Sequence, residues 1–127
     1  MALPQRHRLR GQRCIDALYQ RGRVVHGPSM SLRWLQADPA LLRHVPSGQS
    51  ASPWRCGVVI SSKVHKRAVR RNRLRRQLHE DLRTTAFRQD LPPLWLLISL
   101  KPGSADLERH HLLGECHHLL RKAGLLP

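Results

Sequence analysis

The segment Lys66 to Arg76 constrains this chain more than any other: seven of its eleven residues are basic (66, 67, 70, 71, 73, 75 and 76), and no acid follows until Glu80. Residues 66–87 contain no Pro or Gly and are predicted as one long helix. At about 100° per residue the cations point in nearly every direction around it, interrupted by Ala68, Val69 and Leu74. Such a half-helix is poorly stabilised alone. Like charges at i and i+4, such as 67/71 and 71/75, cost a few tenths of a kcal/mol each, and cations at a helix N-terminus oppose the macrodipole. Leu74, Leu78 and Leu82 form an i, i+4, i+8 stripe that can seat the second half on a sheet. A solvated face normally interleaves acids with bases. The missing acids point instead to a polyanion, bound by arginine forks that match phosphate geometry. Asn72, inside the run, can donate to phosphate or ribose.

The charge is concentrated rather than spread. Residues 1–33 carry seven Arg and one acid, residues 63–88 carry ten basic residues and two acids, and together they hold fourteen of the net fifteen positive charges. Nucleic acid is the commonest partner for such a surface, with an anionic membrane the weaker alternative. Five aromatic residues are too few for binding by repeated base stacking. At 127 residues the chain reads as one domain, 1–127, long enough for a core without disulfide or metal staples. Cys14, Cys56 and Cys116 are odd in number and form no Cys-x-x-Cys, which fits a reducing, cytoplasmic setting. The basic N-terminus is followed by no apolar signal region, and the longest apolar run, Leu94 to Ile98, is far short of the ~20 residues a bilayer span needs.

Gln12 to Arg21 has apolar residues at 14/15 and 18/19 and is predicted as a short helix closed by Gly22. Val24 and Val25 open a first strand, and Ser29 to Gln36 alternates, with Met30, Leu32 and Trp34 on one face and Ser31 and Arg33 on the other. Residues 38–53, with three prolines and the run PSGQSASP, read as a long flexible loop. Trp54 to Ser61 is expected as a central strand and Leu94 to Leu100 as another buried strand. Ser104 is expected to cap a last helix whose stripe is Leu112, Leu113, Cys116, Leu119, Leu120 and Ala123. The order is α-β-β-β-α-β-α, an α/β chain with helices packed on a mixed sheet.

The run SSKVHKRAVRRNRLRRQLHEDLR, centred on Arg71-Asn72-Arg73 in the pattern KRAVxRNRxxRxxxE, resembles the signature of the bacterial ribonuclease P protein subunit. LPQRHRLRGQRCIDALYQRGRVVHGPSMSLRWL resembles that family's N-terminal region, WRCGVVISSK its central strand and LWLLISLKPG its last strand. The resemblance implies an α/β (α+β) two-layer sandwich, ribosomal protein S5 domain 2-like, with a left-handed β-α-β crossover against the usual handedness rule. It implies a protein that pairs with the catalytic ribonuclease P RNA, in a holoenzyme that removes the 5′ leader from precursor tRNA, with Mg²⁺ bound mainly by the RNA and no obligate protein partner. Carried over by position, Lys63, Lys66, Arg67, Arg70, Arg71, Asn72, Arg73, Arg75 and Arg76 would contact RNA, and Ile15, Tyr19 and Arg33 would line a leader-binding cleft. Aromatic residues are usual at those three cleft positions, and only Tyr19 is aromatic here. Leu100 and His79 stand where the family often has basic residues.

No catalytic or metal-binding residue is expected in the chain itself. Glu80 and Asp81 are adjacent and diverge on a helix, while Asp106 and Glu108 suit a helix N-terminus. The sharper rival is a protein-only nuclease with a metal on His111, Glu115 and His118, which share one helix face at i, i+4 and i+7. A generic structural RNA binder, such as a small ribosomal protein, would show the same charge and need no leader cleft.

Overall fold

In the computed structural model, residues 8, 9, 11–36, 54–86 and 94–125 are described; the predicted loop at 38–53 lies outside them. The first helix, α1, is Gln12–Arg21. It ends because the backbone N–H of Gly22 turns back to the Leu18 carbonyl at 3.0 Å, and a Cβ at Gly22 would sit 2.3 Å from that oxygen. Two strands follow, β1 (Arg23–His26) and β2 (Met30–Gln36), then β3 (Arg55–Val59), helix α2 (Ala68–Asp81), strand β4 (Leu94–Leu100) and helix α3 (Arg109–Lys122).

The sheet order is β1-β2-β4-β3. β1 with β2 and β2 with β4 are antiparallel, whereas β3 and β4 are parallel and joined through α2. The expectation that residues 54–61 form a central strand is overturned, since β3 is an outer strand and LWLLISL of β4 lies between β2 and β3. A nearly unbroken apolar strand is what burial on both faces demands, and β4 has it. β3 looked central because its edge is partly covered: Arg8 pairs beside Cys56, and Leu9 N–H donates to the Cys56 carbonyl at 3.0 Å.

The alternation in β2 sorts the core into two clusters. Met30 and Leu32, with Trp34 partly buried beside them, join Leu96, Ile98 and the Leu74, Leu78 and Leu82 stripe of α2 and the stripe of α3. On the opposite face Cys14 and Leu18 of α1 pack with Leu9, Trp95 and Leu97, with Ile15 and Leu35 half-buried around them. Leu100, at a position often basic in the family, is buried in the first cluster.

Two helix starts depart from expectation. α2 begins at Ala68, with Arg67 in extended geometry (φ −84°, ψ 124°) at its N-cap, so Lys66 and Arg67 precede the helix. The cause is tertiary: buried Val64 pins the preceding turn to the core, and its N–H donates to Ser61 O at 3.0 Å. At the other end residues Leu82–Ala86 form one wide π turn, where the Thr84 hydroxyl donates to the Glu80 carbonyl at 2.8 Å. Ser104 does not cap α3. It is fully buried and opens a separate 3₁₀ turn, Ser104–Asp106, after which Leu107 is extended and Glu108 occupies the N-cap without a side-chain bond. All three cysteines are buried free thiols; burial above all, with Asp81 and Glu115 nearby, pushes Cys116 up to about 12.

Candidate nucleic-acid interface

The α2 stripe of Leu74 and Leu78 is buried, which turns the rest of the helix start outward. Lys63, Lys66, Arg67, Arg70, Asn72, Arg73 and Arg76 are exposed, and Arg71 and Arg75 are partly buried. The nine candidate residues therefore fall into two groups. The side chains of Lys63, Lys66, Arg67, Arg73 and Arg76 make no hydrogen bond or ion pair among the described residues. The others are tied inward: Arg70 Nη2 donates to Ala105 O at 3.3 Å, and Arg71 Nη1 to the carbonyls of His65 and Lys66 at 2.8 and 2.9 Å. Arg75 donates through Nη1 to Asn72 Oδ1 at 2.6 Å and through Nε to Val58 O at 3.5 Å. Val69 is 80% exposed among these cations, so no apolar partner among the described residues covers it.

On the other face, α1 and β2 bring Tyr19 and Arg33 together, with the guanidinium 4.4 Å from the ring centroid. Tyr19 is 50% exposed, which rules out a core role for its ring. Ile15 faces a neighbouring cavity of about 220 Å³, between α1, β3 and α2, that also has Gly57, Leu97, Arg8, Arg75 and His79 in its walls. The three expected cleft residues thus share a face of the sheet but form two adjoining features, a cation–ring pair and a mainly apolar hollow.

Sequence reasoning missed Arg8 and Gly57 as part of this hollow. A glycine inside a strand signals close approach, and a Cβ on Gly57 would meet Leu97 Cδ1 at 3.3 Å and Leu9 Cβ at 3.4 Å. His79 carries no charge there at neutral pH: burial, then the charges of Arg75 and Arg8, push it down to about 4. Its buried Nε2 has no partner among the described residues.

The nuclease alternative loses its ligand set. Glu115 is not free for a metal with His111 and His118, because its Oε2 accepts the Ser29 backbone N–H at 2.9 Å. Asp81 faces α3, where His117 Nε2 donates to its Oδ2 at 2.6 Å. Among the described residues, ligand atoms come within 4.8 Å of one another in Glu108, His110 and His111, all exposed. No helix among them is long and apolar enough to cross a membrane.

An acid-free cationic helix start on one side of a mixed sheet and a half-open groove on the other define an α+β protein whose surface can hold phosphates and a flat ring. A model of the ribonuclease P family matches residues 3–124. The chain is 51% identical over 125 residues to the ribonuclease P protein component of Synechococcus sp. strain RCC307, covering 98% of each. It is 49% identical over 130 residues to that of Prochlorococcus marinus strain MIT 9303, covering 99% of each. The ribonuclease P protein of Staphylococcus aureus has the same fold, with a TM-score of 0.75 at 16% identity over 95% of this chain and 98% of that one. For the Thermotoga maritima protein the TM-score is 0.68 at 17% identity, over 91% and 96%. The chain belongs to the ribonuclease P protein family, the protein subunits of a ribonucleoprotein endoribonuclease.

Proposed function

We propose that this chain, as one domain in the cytoplasm, binds the catalytic ribonuclease P RNA through the start of α2 and the 5′ leader of precursor tRNA through the groove under α1. The observation that carries the reading is the group of exposed, unpaired cations Lys63, Lys66, Arg67, Arg73 and Arg76 on one helix start and its leading turn, with no acid among them. Arg70, Asn72 and Arg75 extend the RNA-contacting set, and Arg71 belongs to the same surface with its Nη1 turned to the His65 and Lys66 carbonyls. Neutralising phosphates there lets two polyanions, catalytic RNA and substrate, approach one another.

In the groove, Tyr19 with Arg33 offers a ring and a guanidinium plane to an unstacked leader base, and Ile15 beside the 220 Å³ hollow offers an apolar wall. Holding the leader fixes the register of the scissile bond, which is a contribution of orientation rather than of chemistry. Mg²⁺, when bound in the holoenzyme, supplies Lewis-acid chemistry at the phosphodiester. The Glu108, His110 and His111 donors, one carboxylate and two imidazoles, do not suit a hard cation that takes oxygen ligands. In this reading the RNA holds that metal, and the described side chains bind and orient rather than cleave.

The test is processing of precursor tRNA at low Mg²⁺ with the protein alone, a bacterial ribonuclease P RNA alone, and both. Cutting at the mature 5′ end should need the RNA and rise sharply on adding the protein. Metal-dependent cleavage by the protein alone, lost on changing His111 or His118, would contradict the reading.

A further inference from the structure

Three of the candidate cations, Lys63, Lys66 and Arg67, stand on the turn that leads into α2 rather than on the helix. Little in the turn's own sequence orders it. It has three exposed cations and no acid, and the helix it enters has no acid in its first turn and no side-chain cap. Repulsion among the cations and the positive end of the helix both favour a splayed chain. Arg71 works against this. Its Nη1 donates to the carbonyls of His65 and Lys66 at 2.8 and 2.9 Å, and its backbone N–H donates to Arg67 O at 3.1 Å. Arg67 N–H closes the turn by donating to His65 Nδ1 at 3.1 Å, one residue beyond the buried anchor Val64. Bonds from a charged donor are about twice as strong as neutral ones.

We propose that Arg71 is a positioning residue, whose grip on the His65 and Lys66 carbonyls fixes the turn bearing Lys63, Lys66 and Arg67 against the first turn of α2, so that turn and helix meet RNA as one surface. The inference rests on α2 being the RNA-binding element. It also gives the first residue of the Arg71-Asn72-Arg73 core a different task from the third, whose side chain is exposed and unpaired among the described residues.

The test is a substitution cycle on the affinity of the full chain for a ribonuclease P RNA, read across a salt series. A side chain touching one phosphate changes the salt slope by about 0.7–0.9 at most. Arg71→Ala should lower its magnitude by about two units, because the turn's contacts go with it. Lys63→Ala with Lys66→Ala should weaken binding several-fold in the native chain and less than about twofold in the Arg71→Ala background, the sign of coupled residues. Equal losses in both backgrounds, or a slope change of one unit or less, would overturn the proposal.

Should Arg71→Ala fail to fold, Arg71→Lys decides, since it keeps the charge on a shorter reach without the fork. Its Val64 and Arg67 amides should exchange faster than in the native chain while β4 stays protected; native protection at 64 and 67 with native affinity defeats the proposal. Arg73→Ala separates the two levels of the reading. If Arg73→Ala and Arg76→Ala leave RNA affinity unchanged, the assignment of α2 fails and the proposal with it, whereas weakened binding there with additive Arg71 effects removes the proposal alone.

Discussion

On the face of the sheet covered by α2 and α3, eighteen buried residues among those described form one continuous cluster; on the face under α1 the cluster has five. The difference is not in the central strand β4, which is buried on both faces, but in what covers the sheet on each side. Two fourteen-residue helices close the first face, while one ten-residue helix leaves the second partly open, with Tyr19 half exposed and a hollow beside Ile15. In the proposed reading, stability concentrates on the closed face and recognition on the open one and on the outer surface of α2. A single helix can thus serve both ends: α2 buries Leu78 on its inner side and leaves Arg73, proposed to meet RNA, exposed on its outer side.

The largest expected effect breaks the closed face. Leu78→Ala removes a fully buried side chain and should cost about 2–5 kcal/mol in urea unfolding. Next comes the open face. Tyr19→Ala should leave unfolding within about 0.5 kcal/mol of the native chain, since the ring is half exposed, yet weaken holoenzyme binding of precursor tRNA by about 1–3 kcal/mol. An unstable Tyr19→Ala variant would erase the contrast between the faces.

A smaller change is expected from Arg73→Ala, which should lower the salt slope of RNA binding by up to about one unit with an unchanged melting temperature. The last sits where the two faces meet α2. His79 is held down to about 4, against about 6.5 in the unfolded chain, so the unfolded state binds the extra proton first. Its contribution is complete above pH ~6.5 and is lost as pH falls toward 4, and His79→Gln should flatten the stability profile across that window.

Where punctuation was local, the fold could be read in advance. Gly22 ends α1 and Pro92-Pro93 precede β4, and both elements have the boundaries their patterns implied. Where a boundary was set from a distance, it could not. The start of α2 depends on Val64 in the core and on Arg71 reaching back to carbonyls, and no period in the residues encodes either. Ser104 has the chemistry of a cap but is drawn into the core by its neighbours, and Glu115 looked like a ligand because its partner, the Ser29 amide, is 86 residues away. The basic face was legible because charge repulsion and missing acids leave it no interior role. The groove was less so: Tyr19 and Arg33 meet because α1 packs on β2, and the hollow depends on Gly57 and Arg8, whose neighbourhood only the folded chain creates.

The division between an RNA-holding surface and a leader-holding groove is tested most directly by one ratio, the affinity of the assembled holoenzyme for precursor tRNA over that for mature tRNA. It should be measured with saturating protein for the native chain, Tyr19→Ala and Arg73→Ala. Tyr19→Ala should lower the ratio by about ten-fold or more, in line with the loss of one base–ring stack, and Arg73→Ala should leave it unchanged while weakening assembly with the RNA. A ratio that falls equally in both variants, or in neither, would contradict the division.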